Sequence, residues 1–351
     1  MLSNETCPIS LPAEVDAMQR EAFAAIQELI EDADTIAICA HTAPDGDALG
    51  TQLALSEIIG DRWPEKQVTC LLADNDECPR LYRFLPGTEG LVRSRDFTGS
   101  PDLFIAVDLS QANRLNEGEA VLKRSRKSAI MDHHPCDAPF ADANLVRPQA
   151  SAAGIIVLEF ALYLGIEITP DIAQNIMCAI VTDTGRFQYG NTDSETFECA
   201  SLLVECGADP AEISLNVYQS FRLQYLHLKS AVLGRIKTFD NGRIAYSYAT
   251  ASDLERTGAD LAECDGLVDV VRSVEGAEVA LFLKTVAKNK VRGNLRSKGA
   301  CDVSKVARAV GGGGHRAAAG FTFEGEVDDA LAKVLPLLEE VLHEADEEGR
   351  S

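Results

Sequence analysis

The stretch Thr35-Ile-Ala-Ile-Cys-Ala-His41-Thr-Ala-Pro-Asp45-Gly-Asp47-Ala-Leu-Gly50 joins a short apolar run, Thr35–Ala40, to a turn and the start of a helical pattern. Beyond it, Asp47–Trp63 carries Leu49, Leu53, Ile58 and Ile59 at roughly helical spacing, and Glu14–Ala33 does the same before the run. Further apolar runs at Val68–Ala73, Leu103–Val107 and Ala129–Met131 continue the alternation to Asp132. Strand and helix thus alternate as a repeating unit, and right-handed crossovers would stack the strands into one parallel sheet with helices on both faces. An α/β fold is expected.

Two more helical stretches follow, Ile155–Leu164 and Asp171–Val181, and apolar residues recur at helix-like intervals over Ala200–Leu228, where a domain junction is placed. The texture changes at Val232: Arg235–Phe239 and Arg243–Tyr248 flank Asp240-Asn241-Gly242, whose Asn-Gly predicts a hairpin. Apolar runs at Val279–Val286 and Lys290–Leu295, a helix around Val303–Val310, a glycine run and an amphipathic helix over Val327–Glu344 complete a smaller domain. Pro336 is expected to kink that helix. Its acidic end (Glu339, Glu340, Glu344, Asp346, Glu347, Glu348) reads as a solvated face.

With 351 residues, 46% hydrophobic and 25% charged, the chain is of ordinary globular composition and holds about two domains. Its most apolar window, Ala152–Gly165, is interrupted by Glu159 and falls short of the roughly 20 residues that cross a bilayer, so no membrane partner is expected. The first residues, MLSNETCPISLPAEVDAM, do not read as a signal peptide, which points to the cytoplasm. The ten cysteines form no CxxC pair and read as reduced thiols. A net charge of −23 argues against binding long duplex DNA.

Four stretches carry chemistry. His41, Asp45 and Asp47 lie where a strand ends and a helix begins, the edge of an open α/β sheet where ligands collect. Hard oxygen ligands with one nitrogen suit Mn²⁺ or Mg²⁺ better than zinc, although an Asx-turn and a helix cap by Asp45 or Asp47 would explain the same residues. Asp108 ends the run Phe104–Val107, with Arg114 beyond it, and Asp132-His133-His134 ends the next. The adjacent histidines point differently from the chain and suit two separate roles. Asp183, before Thr184-Gly185, ends a helical run. Each alone could be a cap or a surface loop, but together they suit two ions about 3.5–4 Å apart sharing a carboxylate and acting on a phosphoester.

In these motifs the chain resembles the DHH phosphoesterases, named for the triplet that stands here as Asp132-His133-His134, with the associated C-terminal DHHA1 domain around Gly311-Gly-Gly-Gly314-His315. The resemblance extends from about residue 20 to 323 and is greatest to the subgroup acting on short RNA oligonucleotides and adenosine 3′,5′-bisphosphate (pAp). It implies a parallel-sheet DHH catalytic domain over 14–215, a helical linker over 216–231 and a smaller α/β DHHA1 substrate-binding domain over 232–345. It further implies two Mn²⁺ ions, with Mg²⁺ or Co²⁺ as substitutes: one held by His41, Asp45 and Asp108, the other by Asp47, Asp108, His133 and Asp183. Asp132 would orient the metal-binding histidine and His134 would face the phosphate. Where many relatives have a hydroxyl pair, this chain has Ser151-Ala152-Ala153-Gly154, a departure bearing on substrate specificity.

In the second domain Lys284, Lys288, Lys290, Arg292, Arg296, Lys298, Lys305, Arg308 and Arg316 face a single acid, Asp302. That reversal in an acidic chain suggests an anion site, with a solvated basic face as the plain alternative. Gly311–Gly314 can present backbone N–H groups to phosphate, or form a mere flexible turn. The resemblance assigns substrate binding to Arg296, Ser297, Gly312, Gly313, Gly314 and His315, with Arg114 from the first domain, and implies a homodimer. Hydrolysis of short oligoribonucleotides and pAp by a hydroxide activated between two metals is the expected function. A phosphodiesterase for cyclic dinucleotides (c-di-AMP) or linear pApA is the alternative. A long-strand exonuclease is disfavoured by charge and by only 6% aromatic residues. A sensor without turnover predicts a lost ligand, and a zinc-stabilised structural protein predicts clustered cysteines. The sequence has neither.

Overall fold

The computed structural model describes residues 17–136, 138–264, 266–299, 301–314 and 316–348, which form two compact units meeting at Ser220/Phe221. The first begins with helix α1 (Ala17–Glu31) and strand β1 (Thr35–Cys39), followed by α2 (Gly46–Arg62), β2 (Gln67–Leu72), β3 (Val92–Arg93), β4 (Leu103–Val107), α3 (Gly118–Leu122), β5 (Lys127–Asp132) and β6 (Ala143–Val146). Helices α4 (Ala153–Leu164), α5 (Pro170–Asp183), α6 (Ser194–Glu205) and the short α7 (Pro210–Ile213) complete it. All six strands are parallel, in the order β3-β2-β1-β4-β5-β6. Cys39 pairs with Ala106 and Val107 with Met131, so the loops leaving β1, β4 and β5 open on one edge of the sheet. That register brings together His41, Asp108 and Asp132, residues far apart in the chain.

Alternate residues of the central strands serve two cores, as strand geometry requires. Ile36, Ile38, Leu103, Ile105, Val107 and Met131 pack with apolar residues of α1, α2, α4 and α5. On the other face Ala37, Cys39, Phe104, Ala106 and Ile130 pack with Leu115 and Val121 of the short α3 region. Helices cover both faces, unequally. Beyond α6 the helical periodicity is broken: Gly207 adopts φ +106°, and Asp209 caps a new helix that has Pro210 in its first turn.

The second unit starts with α8 (Leu223–Leu233), whose Tyr225, Leu228 and Val232 lie in its core, within the span expected as a linker. It continues with β7 (Lys237–Phe239), β8 (Ile244–Ala249), α9 (Ala251–Thr257), α10 (Leu267–Arg272), β9 (Val279–Ala287), β10 (Lys290–Ser297), α11 (Val303–Ala309), β11 (Gly313–Gly314), β12 (Ala318–Glu324) and α12 (Val327–Glu348). The sheet order is β11-β12-β10-β9-β8-β7, with only the β8–β9 pair parallel. The glycine run is therefore an edge strand as well as a turn. A Cβ on Gly312 would stand 2.2 Å from the Gly320 carbonyl, and one on Gly314 2.5 Å from Ala319 Cα, so close backbone approach explains both. Helix α12 continues through Pro336.

Among the described residues no helix is long and apolar enough to cross a membrane, and the cysteines are free thiols. Cys7 lies outside the described residues.

Asp253 is a buried charge of the second unit. It binds Arg235 through both oxygens (2.7 and 3.0 Å) and closes a capping box with Thr250. Arg235 holds its carboxyl below the usual carboxylate range. A depressed folded-state pKa contributes stability that is present above the unfolded value, near 4, and lost as pH falls. Asp253→Asn is thus expected to cost about 2–3 kcal/mol at pH 7, near the lower end for breaking a buried pair. The gap between variant and wild type in chemical denaturation should close below about pH 4, and a gap constant with pH would refute the assignment.

Candidate metal centre

The turn after β1 is held by two contacts. Asp74 accepts hydrogen bonds from the Thr42 hydroxyl (2.6 Å) and the Ala43 amide, where φ is +52°, and Thr42 N–H donates to the Arg114 carbonyl (2.8 Å). This aims the His41 ring back across the sheet edge. Its Nδ1 lies 2.8 Å from the Thr42 carbonyl and its Nε2 lies 3.1 Å from Asp108 Oδ2 and 4.0 Å from Asp45 Oδ1. An Nδ1–H bonded to a carbonyl leaves Nε2 as the lone-pair nitrogen, the tautomer a metal requires.

Asp45 and Asp47 both work at the start of α2, in different ways. Asp45 Oδ1 accepts the amides of Asp47 and Ala48 as the helix cap, so the plain capping reading of this residue is correct, and Asp45 still keeps its place beside His41. Asp47 is fully buried and accepts from Thr51 Oγ1 (2.8 Å) and from the amides of Ala153 (2.7 Å) and Gly154 (3.0 Å). Within Ser151-Ala-Ala-Gly154 the N-terminus of α4 thus grips Asp47 by backbone donors, which do not depend on the side chains there.

His133 is fixed in the same manner as His41, with Nδ1 3.0 Å from the Ala150 carbonyl. Its Nε2 lies 3.5 Å from Asp47 Oδ2, 3.5 Å from Asp108 Oδ1 and 3.7 Å from Asp183 Oδ2. Asp108 therefore turns one oxygen to His41 and the other to His133. It does so from a left-handed backbone, φ +58°, immediately after β4. The fully buried Asp132 reaches the other histidine: its Oδ1 is 2.9 Å from His134 Nδ1 and accepts the amides of His133 and His134. The expected orienting role thus falls on the ring of His134, while Ala150 turns that of His133.

Three donor sets emerge with ligand atoms within 4.8 Å of one another: His41, Asp45 and Asp108; Asp47, His133 and Asp183; and Asp108, His133 and His134. Buried Asp108 Oδ1 and His133 Nε2 have no hydrogen-bond partner. Two unsatisfied donor atoms of metal-binding type, aimed at one another among carboxylates, fit a divalent cation. The electrostatics agree. Burial pushes the carboxyls of Asp47 and Asp183 up, aided by Asp108 and Asp47 respectively. Burial would lower the imidazoles, but Asp108 and its neighbours raise His41 to about 9 and His133 to about 10. Carboxyls pushed up and imidazoles that hold their protons mark a cluster short of positive charge.

The chain matches the DHH family N-terminal domain over residues 35–180 and the DHHA1 domain over 241–344. It is 31% identical over 316 residues to the bifunctional oligoribonuclease and PAP phosphatase NrnA of Thermus thermophilus, covering 88% of this chain and 91% of that protein. It belongs to the DHH family. The NrnA of Bacillus subtilis is 28% identical, over 88% of this chain and 96% of that one. An exopolyphosphatase-related protein from Bacteroides fragilis has the same fold, with TM-score 0.88 at 23% identity over 95% and 100% of the two chains. As a DHH chain this protein is a metal-dependent phosphoesterase, and its histidines and carboxylates form sets that could hold a metal ion.

Two residues near the DHH cluster were not anticipated. Asp74 follows the run Val68–Ala73 as Asp108 follows Leu103–Val107, so the sequence carried a signal for it. Asn191 donates to the Asp183 carbonyl (3.2 Å) and carboxylate (3.3 Å) and to the Ser151 carbonyl (3.0 Å), from a loop with no distinguishing pattern. The Arg114 side chain, half-buried, acts electrostatically on His41.

In the second unit Arg292, Asn294 and Arg296 alternate along one face of β10, while Val291 and Leu295 enter the core opposite. Half-buried Arg296 bonds the Leu295 carbonyl, and buried Ser297 lies against Gly299. Several basic residues of the segment are spent on pairing: Lys290 with Glu324, Lys305 with Glu344, and Lys298 with the Val274 carbonyl. Arg292 and Arg296 remain on a shared face, and Gly313, open to solvent, lies nearby through the Gly313–Gly320–Asn294 pairing. His315 lies outside the described residues.

Proposed function

We propose that this chain hydrolyses short oligoribonucleotides and pAp with two Mn²⁺ ions, one at His41, Asp45 and Asp108 and the other at Asp47, Asp108, His133 and Asp183. The observation that carries the reading is Asp108, whose two oxygens face His41 and His133 separately, as a carboxylate shared by two ions must. Bound there, the ions supply Lewis acidity toward a phosphoryl oxygen and make water nucleophilic near neutral pH. The protein's own part is positioning. Thr42 and Ala150 carbonyls keep both ligand imidazoles in the required tautomer, and Thr51 with the α4 amides fixes Asp47. His134, steered by Asp132, donates to the phosphoryl group as charge accumulates there. Arg296, Ser297 and the glycine strand are the second unit's part in holding the remaining phosphate. The activities named for the two NrnA relatives support this substrate class over a cyclic dinucleotide.

The test is phosphate or nucleotide release by the protein with Mn²⁺ from pAp, pApA, a longer single strand and c-di-AMP. Preference for pAp and short oligonucleotides is expected, and preference for c-di-AMP would replace this reading with second-messenger turnover. Arg296→Ala should raise KM for pAp by roughly 10–100-fold, the worth of one charge-assisted hydrogen bond, with bound metal unchanged. Loss of metal in that variant would show that Arg296 serves the metal site.

A further inference from the structure

Outside the catalytic cluster, one buried carboxylate lacks the partner its burial demands. Asp240 begins the β7–β8 turn with a left-handed φ of +46°, and its side chain is 6% exposed. Its Oδ2 is buried without a hydrogen bond. The nearest cations stand too far off to satisfy it: Arg243 Nη1 at 3.7 Å and His343 Nε2 at 3.8 Å. Arg243 is engaged elsewhere, both terminal nitrogens bonding Asp346 at 2.9 Å and its Nε bonding Glu278 at 2.7 Å. A buried carboxylate oxygen left so is costly, and a bound cation would satisfy it.

We propose that Asp240, Glu339 and His343 form a second divalent-cation site, one that clips the β7–β8 turn to helix α12. Donor atoms of the three residues lie within 4.8 Å of one another. A metal with ligands about 2.0–2.2 Å away needs donors about 3–4.3 Å apart, so small side-chain movements close the shell. Glu339 and His343 are four residues apart on α12 and therefore share one face, while Asp240 comes from the hairpin. One imidazole and two carboxylates are the donor types found at His41, suited to Mn²⁺ or Mg²⁺, and Zn²⁺ binds such a set more tightly than Mn²⁺ in the Irving–Williams order, which makes it the probe. The acidic end of α12 is thus partly engaged: Glu344 pairs Lys305, Asp346 pairs Arg243 and Glu339 faces the proposed ion.

Zn²⁺ alone is the probe, applied to the full chain after chelation and measured by equilibrium dialysis with metal quantification. The donor sets around Asp108 are also open to added Zn²⁺, so the readout is a difference: His343→Asn should bind one equivalent fewer than wild type. Its side chain is 58% exposed, so the fold should tolerate the change. Asp240→Asn, near-isosteric, repeats the test on a second ligand, with circular dichroism confirming folding. Both variants should keep wild-type hydrolysis of pAp with Mn²⁺. Equal Zn²⁺ stoichiometry in wild type and either folded variant would overturn the site, as would a proportional fall in phosphoesterase activity.

Discussion

Asp108→Asn is expected to lower turnover at least about a thousandfold, some 4 kcal/mol of transition-state stabilisation, while leaving the protein folded. Asn fits the same volume and, like Asp, tolerates the left-handed backbone found here at φ +58°. It brings one neutral oxygen where two anionic ones faced His41 Nε2 (3.1 Å) and His133 Nε2 (3.5 Å). Both proposed ion sites lose a ligand at once, because Asp108 is the carboxylate assigned to the two of them. Asp45→Asn by contrast touches the His41 set only, on a half-exposed side chain, and should be milder. Activity with Mn²⁺ and metal content measured on the same preparations separate the two. Near-normal turnover in Asp108→Asn would end the shared-carboxylate model.

The strand-end argument was productive because a parallel sheet aligns its carboxyl ends whatever the intervening sequence. His41, Asp108 and Asp132 could therefore be placed on one edge from apolar runs alone. The same rule applies to Asp74, which went unread and which braces the His41 turn rather than facing the donor sets. Short elements escaped: β3 has two residues and β6 four, too few for a period to register. Gly312 and Gly314 were legible as glycines needed for close approach, but the approaching backbone is that of β12, which only the fold reveals. Ala152-Ala153-Gly154 was legible as the loss of a hydroxyl, but not as a source of backbone donors to Asp47, which leave no mark on side-chain identity. Asp240 and His343 lie 103 positions apart, and no periodicity joins a hairpin to a terminal helix.

Gly50→Ala should be strongly damaging for the addition of a single methyl group. A Cβ at Gly50 would stand 2.2 Å from the Asn175 carbonyl oxygen and 3.3 Å from the Ala179 nitrogen, both backbone atoms of α5 that no rotamer change can remove. Helices α2 and α5 would have to part by about 1 Å to restore ordinary contact, an overpacking cost of roughly 1–3 kcal/mol. The chemistry suffers more than the fold. Helix α2 carries Asp47 and α5 ends on Asp183, and the two converge on His133 Nε2 at 3.5 and 3.7 Å. Misplacing reacting groups by that distance can cost about a hundredfold in rate. Gly46, whose Cβ would meet only the Thr182 side chain, and Gly154, whose Cβ would meet Ala179 Cβ at 2.7 Å, show the same closeness around this ligand pair. The control lies in the same helix: a Cβ on Gly60 meets nothing within 4 Å. Gly60→Ala should therefore keep full activity and stabilise α2 by about 0.5–1 kcal/mol. Thermal unfolding and pAp hydrolysis of the two variants decide the matter, since equal activity would mean that the α2–α5 spacing does not set the geometry of the metal ligands.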